Sequence, residues 1–590
     1  MAHPRRSLAL LAALAMGGPC QAAEEPGWLA LMHYRAQGSG WQSEADRPHF
    51  FLSKDGRHAP RQELAANLAA MSAPAYPCTF PARYEWLRTR YAPALPARRE
   101  GDCPELDAWY RQFPGQRVSI SFAASFLENP SSMFGHTFLK VYRESPRELM
   151  SPTINYAART DAREGDLDYI RKGLFGGFPG VADELPFYRR LRTYTENEGR
   201  DIWEYELGLT PAEVRQLLLH VWEVRDGIFD YYFLDENCAF RTLALIDVAR
   251  PQARLLDHYS ALTVPVETIR TLQAAGMAGA PVLWPGLPKL VRQYEAQLGA
   301  DEVRQASAIA DGSLAPDKVA QASVLQLAYE YLSVRITRDQ AERETRKDTI
   351  NAILRRRLAI GSPGSLQQAA ALDPPESGHD GSAIKLGAYR DGARRGASLA
   401  WAGFQHTLTD RLGGYEPYAE VTVLQPELRS DGGRVRLERL DWLTVQSTLP
   451  GSALFSRSAW RLMLATQRKE DRLVTSLGFN SGQAWAVGNT VIAVMPGAGV
   501  EAGHATAAAG TLAVLATRQS STWSAQAEFN AEKQFLGGHG YRSHARLRTS
   551  LMLSRNTALE LSARRAIRPV PHTEIALGLR VHLKPLAFAQ

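Results

Sequence analysis

The chain has 590 residues, too many for a single hydrophobic core, so length alone calls for several structural units. It is 45% hydrophobic and 22% charged, an ordinary globular balance that excludes extensive disorder, and its mean hydropathy of −0.27 excludes a bundle of membrane helices. A net charge of +6, with no run of Lys and Arg and no basic-aromatic stripe, gives no reason to expect a nucleic-acid partner.

The first residues combine a basic start at Arg5 and Arg6, an apolar stretch from Leu8 to Met16, and small residues at Ala22 and Ala23 before Glu24. That pattern predicts a secretory signal peptide over residues 1–23 and an exported chain. Removal of that peptide takes Cys20 with it and leaves three cysteines, Cys78, Cys103 and Cys238. Cys78 and Cys103 flank one short Pro- and Arg-rich segment and are the natural disulfide pair in an oxidising compartment. Cys238 is left over, and a free thiol kept there is either a small buried hydrophobe or a nucleophile.

Residues 24–106 read as a helical cap, with apolar residues at three-to-four spacing in WLALMHY and QELAANLAAM and a turn-bounded extended piece in RPHFFLSKDGR. Residues 107–251 mix periods. VSISFAASF, GHTFLKVYRE and INYAAR read as strands, and LTPAEVRQLLLHVWEVRDGI as an amphipathic helix capped by Thr210 with Pro211 in its first turn. Residues 252–372 read as further helices followed by a linker.

Residues 373–590 change in kind. In EIALGLRVHL the residues Ile575, Leu577, Leu579, Val581 and Leu583 oppose Glu574, Arg580 and His582, and in TWSAQAEFN Trp523, Ala525, Ala527 and Phe529 oppose Ser524, Gln526 and Glu528. About a dozen such segments, each near the ~9–11 residues that a tilted strand needs to cross a bilayer, predict an antiparallel meander. Alternation alone fits either an outer-membrane barrel or a soluble sandwich; strand length, the export signal and an Arg-rich inner face favour an outer-membrane β-barrel of about 12 strands.

Two segments carry chemistry. ENPSSMFGHTFLKVY leads through a Pro/Ser/Gly loop into a strand that opens at His136, and YYFLDENCAFRTLALIDVA places Cys238 at the start of an apolar helix. A thiol at a helix N-terminus faces the positive end of the dipole and the unpaired N–H groups of the first turn, which favour thiolate. A histidine opening a neighbouring strand can then serve as its base. No HExxH and no zinc spacing of cysteines is present, so neither metal nor cofactor is expected.

His first, Cys later, with Asn-Cys opening the helix, resembles the circularly permuted papain-like families, including the NlpC-type peptidases and the lecithin:retinol acyltransferase group. The fuller run SFAASFLENPSSMFGHTFLKVY, INYAAR, RKGLFGGFPG, RDIWEYELGLTPAEVRQLLLHVWE and YYFLDENCAF, over roughly residues 112–250, is more closely similar to the Lnb-type periplasmic domain, named for a bacterial lipoprotein N-acyltransferase. The fold this implies is multidomain α+β: a permuted papain-like domain flanked by helical regions and followed by the all-β region.

The resemblance implies Cys238 as nucleophile and His136 as base, with Asn155, on the strand after His136, as the third member that orients the imidazole. Ser132, Tyr156 and Asn237 are expected to shape the pocket, and the glycines from Gly173 to Gly180 to form a loop at its rim. The implied reaction takes an acyl chain from a phospholipid to Cys238 and passes it to an amine such as a lipoprotein N-terminus, at the periplasmic side of an outer membrane entered by the β-region. Two alternatives stay open: an NlpC-type cell-wall peptidase or amidase that needs the same pair, and a non-catalytic outer-membrane protein whose degenerate papain-like domain binds lipid or a partner.

Overall fold

The computed structural model describes residues 25–584 except 126, 128–132, 144–146, 160–167, 169–170, 174–175, 234, 260–261, 339, 362–372, 470–471, 504–505 and 538–539. The expected signal peptide with Cys20, and Ser132 of the expected pocket, lie outside the described residues.

Helices Pro26–Leu31, Pro60–Ala70, Pro81–Tyr91 and Pro104–Tyr110 make up most of the N-terminal region, each with a proline in its first turn, where a missing N–H costs nothing. The region is not wholly helical: Tyr34–Gln37 and Gly40–Ser43 form an antiparallel hairpin. Its strands have four residues each, too few for alternation to register. RPHFFLSKDGR contains a 3₁₀ turn at Pro48–Phe50 in place of an extended piece. Arg83 and Glu223, both fully buried and 3.5 Å apart, tie this region to the helix Pro211–Val224. A buried pair of this kind costs several kcal/mol to break because one charge is left alone.

Seven antiparallel strands form the central sheet, in the spatial order Asp230–Tyr231, Phe178–Pro186, Pro152–Ala158, His136–Val141, Val118–Ala123, Ile202–Leu207 and Ala278–Trp284. The last of these lies beyond residue 251 in the chain, so the sheet continues into the segment read as purely helical. Every residue of the strand His136–Val141 is buried, as is every residue of the helix Cys238–Ala249 that packs against it. The helix Pro211–Val224 carries the expected cap: Thr210 Oγ1 accepts from Glu213 N–H at 3.3 Å, and the Glu213 carboxylate accepts from Thr210 N–H at 2.7 Å.

Among the described residues, twelve long strands from Ser382–Asp391 to His572–Leu583 close into a barrel. The first strand pairs with the last, and Arg394–Ala402 pairs across to Ala419–Ser430; a short strand, Phe404–His406, lies inside that junction. The alternation decides which side is which. Leu386, Phe479, Leu547, Leu561, Ile575 and Leu577 are exposed on the outside, whereas Glu560 and Arg580 are buried inside. A closed sheet with an apolar outer wall and a charged interior is a barrel built for lipid, since a sandwich would bury those leucines. Trp485 and Trp523 near one end and Phe535 and Tyr541 near the other supply interfacial aromatics. Among the described residues no helix is long and apolar enough to cross a membrane.

The sheet domain is docked on the barrel mouth. Arg270 donates to the carbonyls of Glu376 and Gly378 at 3.2 and 2.8 Å, Glu267 accepts from Gly381 N–H at 3.0 Å, and Lys289 pairs with Glu416. Phe134, two residues before His136, packs edge-on against Phe404 of the barrel at 4.9 Å.

Cys78 and Cys103, 25 residues apart in sequence, form a disulfide, and Trp222 Nε1 donates to Cys78 O at 2.9 Å. Closing a loop of that length stabilises by roughly 3 kcal/mol. Replacing both cysteines by serine is expected to lower the urea midpoint of tryptophan fluorescence; an unchanged midpoint would mean that the bond adds nothing to the stability of the N-terminal region.

Candidate functional site

Cys238 is the first residue of its helix, and its side chain is shut away from solvent. The first-turn N–H groups do not point at the sulfur as the sequence suggested. Asn237, the N-cap, accepts from Ala239 and Phe240 N–H at 3.0 and 3.3 Å, and Cys238 N–H donates to the Tyr231 hydroxyl at 3.3 Å. Asn237 Nδ2 in turn donates to Thr263 O at 2.8 Å. Asn237 therefore fixes the start of the helix rather than shaping a pocket. The sulfur finds its partners across the sheet, in the His136 imidazole, the Thr137 backbone N–H and the Tyr231 hydroxyl.

Those partners set its ionisation. Burial pushes the thiol up; the imidazole of His136, by charge and by hydrogen bond, together with Thr137 N–H and Tyr231, brings it down from 9.0 to about 7. Tyr231 moves the other way, raised well above its ordinary value by burial and by the charge of Cys238, so it remains an O–H donor.

His136 is held by its neighbours in the chain and in the sheet. Gly135, at φ +96°, turns the chain into the strand where an added Cβ would strike the Phe122 ring at 2.5 Å, and His136 pairs in register with Ala123. Its Nε2 lies 2.5 Å from Asn155 Oδ1. Asn155 Nδ2 donates to Asp183 Oδ2 at 3.4 Å, so Oδ1 is the face turned to the histidine and Nε2 must carry the hydrogen. The neutral tautomer then leaves Nδ1 with a lone pair for the thiol proton. Asp183 pairs with Arg190, whose Nε donates to Thr153 Oγ1 at 3.3 Å, returning the chain of contacts to the strand Pro152–Ala158 that carries Asn155.

The structure thus brings Cys238, His136 and Asn155 together in one buried row. Tyr156 lies beside it: its ring stacks on Tyr231 at 5.9 Å and its hydroxyl donates to Phe229 O at 3.3 Å. Gly180 belongs to the strand Phe178–Pro186, and its missing side chain makes room for the Tyr156 hydroxyl, which an added Cβ would meet at 1.8 Å. Tyr231, Tyr194, Asp183 and Arg190 were not singled out in the sequence. Tyr194 stacks near His136 at 5.8 Å. Tyr231 opens the run YYFLDENCAF without standing out in it, and the other three lie in no motif; only the fold carries them to the site.

A cavity of about 510 Å³ lies where the sheet domain meets the barrel rim, and Cys238, His136 and Asn155 are not among the residues that line it. Ser125, two residues past the partner of His136, lines it together with Leu127, Arg200, Lys289, Phe455 and Trp460.

Among the described residues one group could hold a metal ion by proximity, His379, His406 and Asp410, with ligand atoms within 4.8 Å of one another. Those atoms already serve each other. His379 Nε2 and His406 Nδ1 are 2.9 Å apart, and Asp410 takes Thr407 N–H, Arg580 and His582. The Arg580 guanidinium beside the carboxylate disfavours a second cation, so the group is a hydrogen-bonded stack at the seam between the first and last barrel strands.

Conversion of His136 to alanine removes the largest contribution that holds the thiolate and leaves Thr137 N–H and Tyr231 alone against burial, which raises the thiol. At pH 7 the thiolate fraction is expected to fall from about one half by about tenfold. Ultraviolet thiolate absorbance across pH 5–10, in wild type and in the variant, reads this directly. A wild-type transition at the ordinary thiol value would contradict the assigned partners.

Three family models match the chain: the Lnb N-terminal periplasmic domain over residues 105–275, and two domains of unknown function, DUF7843 over 21–90 and DUF7840 over 372–582. Comparison with curated proteins gives no match. Among solved structures the chain is similar to the KdgM porin, at 9% identity over 34% of this chain and 99% of the porin with a TM-score of 0.23, and to the NanC porin, at 7% over 34% and 100% with a TM-score of 0.25. Omp33 of Acinetobacter baumannii matches at 8% over 35% of this chain and 99% of that one, with a TM-score of 0.21. The match to a periplasmic domain and the apolar outer wall of the barrel support a location in the cell envelope, at the outer membrane. Residues 105–275 match the model of the Lnb N-terminal periplasmic domain, here followed by a closed twelve-stranded β-barrel.

Proposed function

We propose that the protein is a cysteine acyltransferase of the outer membrane that moves an acyl chain from a phospholipid, through a Cys238 thioester, to an amine such as a lipoprotein N-terminus. The observation that carries the reading is the Cys238–His136–Asn155 row, in which a buried thiol is drawn down to about 7 and the base facing it has its tautomer fixed. The papain-like character of the domain is part of the same proposal, and it is supported by the order strand His, strand Asn and helix N-terminal Cys around one antiparallel sheet.

In the first half-reaction Nδ1 of His136 takes the thiol proton and the thiolate attacks the ester carbonyl carbon. The charge on the tetrahedral oxygen is met by hydrogen-bond donors already beside the sulfur, of which the Tyr231 hydroxyl and Thr137 N–H are the candidates. Collapse breaks the carbon–oxygen bond, His136 returns its proton to the departing lysophospholipid oxygen, and the acyl group stays on Cys238. In the second half an amine attacks the thioester, His136 takes the amine proton, and the thiolate leaves as the amide forms. Asn155 holds the imidazole through both halves and stabilises its charged form.

Lipid is favoured over muropeptide by position and by lining. Aromatic side chains border the row, with Tyr231 on the sulfur, Tyr194 near His136 and Tyr156 against Tyr231, and the cavity at the barrel rim joins Leu127, Phe455 and Trp460 to Arg200 and Lys289, a combination suited to an acyl ester with an anionic headgroup.

Purified protein in phospholipid vesicles with an amine-bearing diacylglyceryl peptide is expected to yield lysophospholipid and acylated peptide in equal amounts. Cys238→Ala abolishes both products, and Asn155→Ala slows them by about tenfold or more while the sheet stays folded. Muropeptide cleavage without lysophospholipid, from the same preparation, would replace this reading with a hydrolase.

A further inference from the structure

Arg546 and Arg564 both face the barrel interior and stand directly opposite each other on neighbouring strands. Like charges in register across a ladder repel, so such a pair is ordinarily relieved by carboxylates on either side. Here the row reads Glu528, Arg546, Arg564, Glu574 across four consecutive strands. Both acids are committed elsewhere. Glu528 takes Arg461 at 2.6 Å and Asn530 at 2.7 Å, and Glu574 takes Arg429 at 2.7 Å. Among the described residues neither Arg546 nor Arg564 has a carboxylate within 4.0 Å, and Arg564 Nε is buried with no hydrogen-bond partner. The other interior arginines are answered: Arg439 by Asp441, Arg580 by Glu560 and Asp410, and Arg548 by Gln526 and Glu420.

Two cavities of about 190 and 200 Å³ meet at this level of the interior, sharing Arg439, Arg461, Met463, Glu528 and Arg546 in their walls. Each has room for about six waters. Two adjacent guanidinium groups without counter-ions, beside space of that size, form a fork for planar or tetrahedral oxyanions. We propose that the barrel interior binds a phosphate or carboxylate group between Arg546 and Arg564, a site separate from Cys238 and independent of its chemistry.

The test is calorimetric titration of the full-length protein in detergent at low ionic strength, with inorganic phosphate and, separately, with glucuronate. Wild type is expected to show saturable binding of at least one probe. The tighter of the two identifies whether a phosphate or a sugar carboxylate is the natural group. Arg546→Gln with Arg564→Gln should weaken that binding by about tenfold or more, whereas Arg565→Gln, on the exposed face, should leave it unchanged. Heat-modifiable migration confirms that each barrel is closed, and the double variant should unfold at a higher temperature than wild type because a repulsion has been removed. No saturable binding of either probe by the closed wild-type barrel, or equal affinity in the double variant, overturns the proposal. A lower unfolding temperature in the double variant does so as well, since it would give the two arginines a structural role.

Discussion

Burial opposes a charged thiolate, and the surroundings of Cys238 act against that penalty. The helix that begins at this residue is mostly apolar and buried along its whole length, which carries the sulfur inside with it. What offsets the cost is the imidazole of His136, delivered from a strand of the sheet on which the helix packs. The interaction therefore requires the sheet, the helix and their packing at once. Shifting the strand by one residue would turn His136 to the other face and leave an inert buried thiol.

The rest of the domain serves that contact. Asn155 sets which nitrogen of His136 carries the hydrogen, Asp183 sets which way Asn155 points, and Arg190 holds Asp183. Tyr231 touches the sulfur through its hydroxyl and the helix through Cys238 N–H, and it is kept upright by the ring of Tyr156. The barrel contributes location. Arg270, Glu267 and Lys289 fasten the sheet domain to its mouth, and a cavity lies at that junction on the rim of a lipid-facing cylinder.

Much of this was legible in the sequence, and the reasons differ by region. The barrel strands are long and alternate strictly, as in the opposition of Leu577 and Leu579 to Arg580, so their period shows through. Cys238, His136 and Asn155 were legible because each begins or follows a recognisable element. The contacts made by separation in sequence were not: Asp183 and Arg190 lie in segments with no local signal, and Tyr231 sits in a strand of two residues. The edge strand Ala278–Trp284 was hidden among helices because four of its seven residues are exposed and its apolar positions do not alternate. The first-turn N–H groups of the Cys238 helix were expected to face the sulfur, yet the residue before it, Asn237, takes two of them as a cap. An Asn in that place has two possible uses, and only geometry separates them.

The most direct measurement isolates the peptide carrying Cys238 after the full-length protein has been held in vesicles of a single phospholipid without an acceptor, and determines its mass. The account predicts an added acyl group of the donor's chain length on Cys238, removable by hydroxylamine and absent from His136→Ala. An unmodified Cys238 in a folded, membrane-inserted protein, or an acyl group found on another residue, would contradict it.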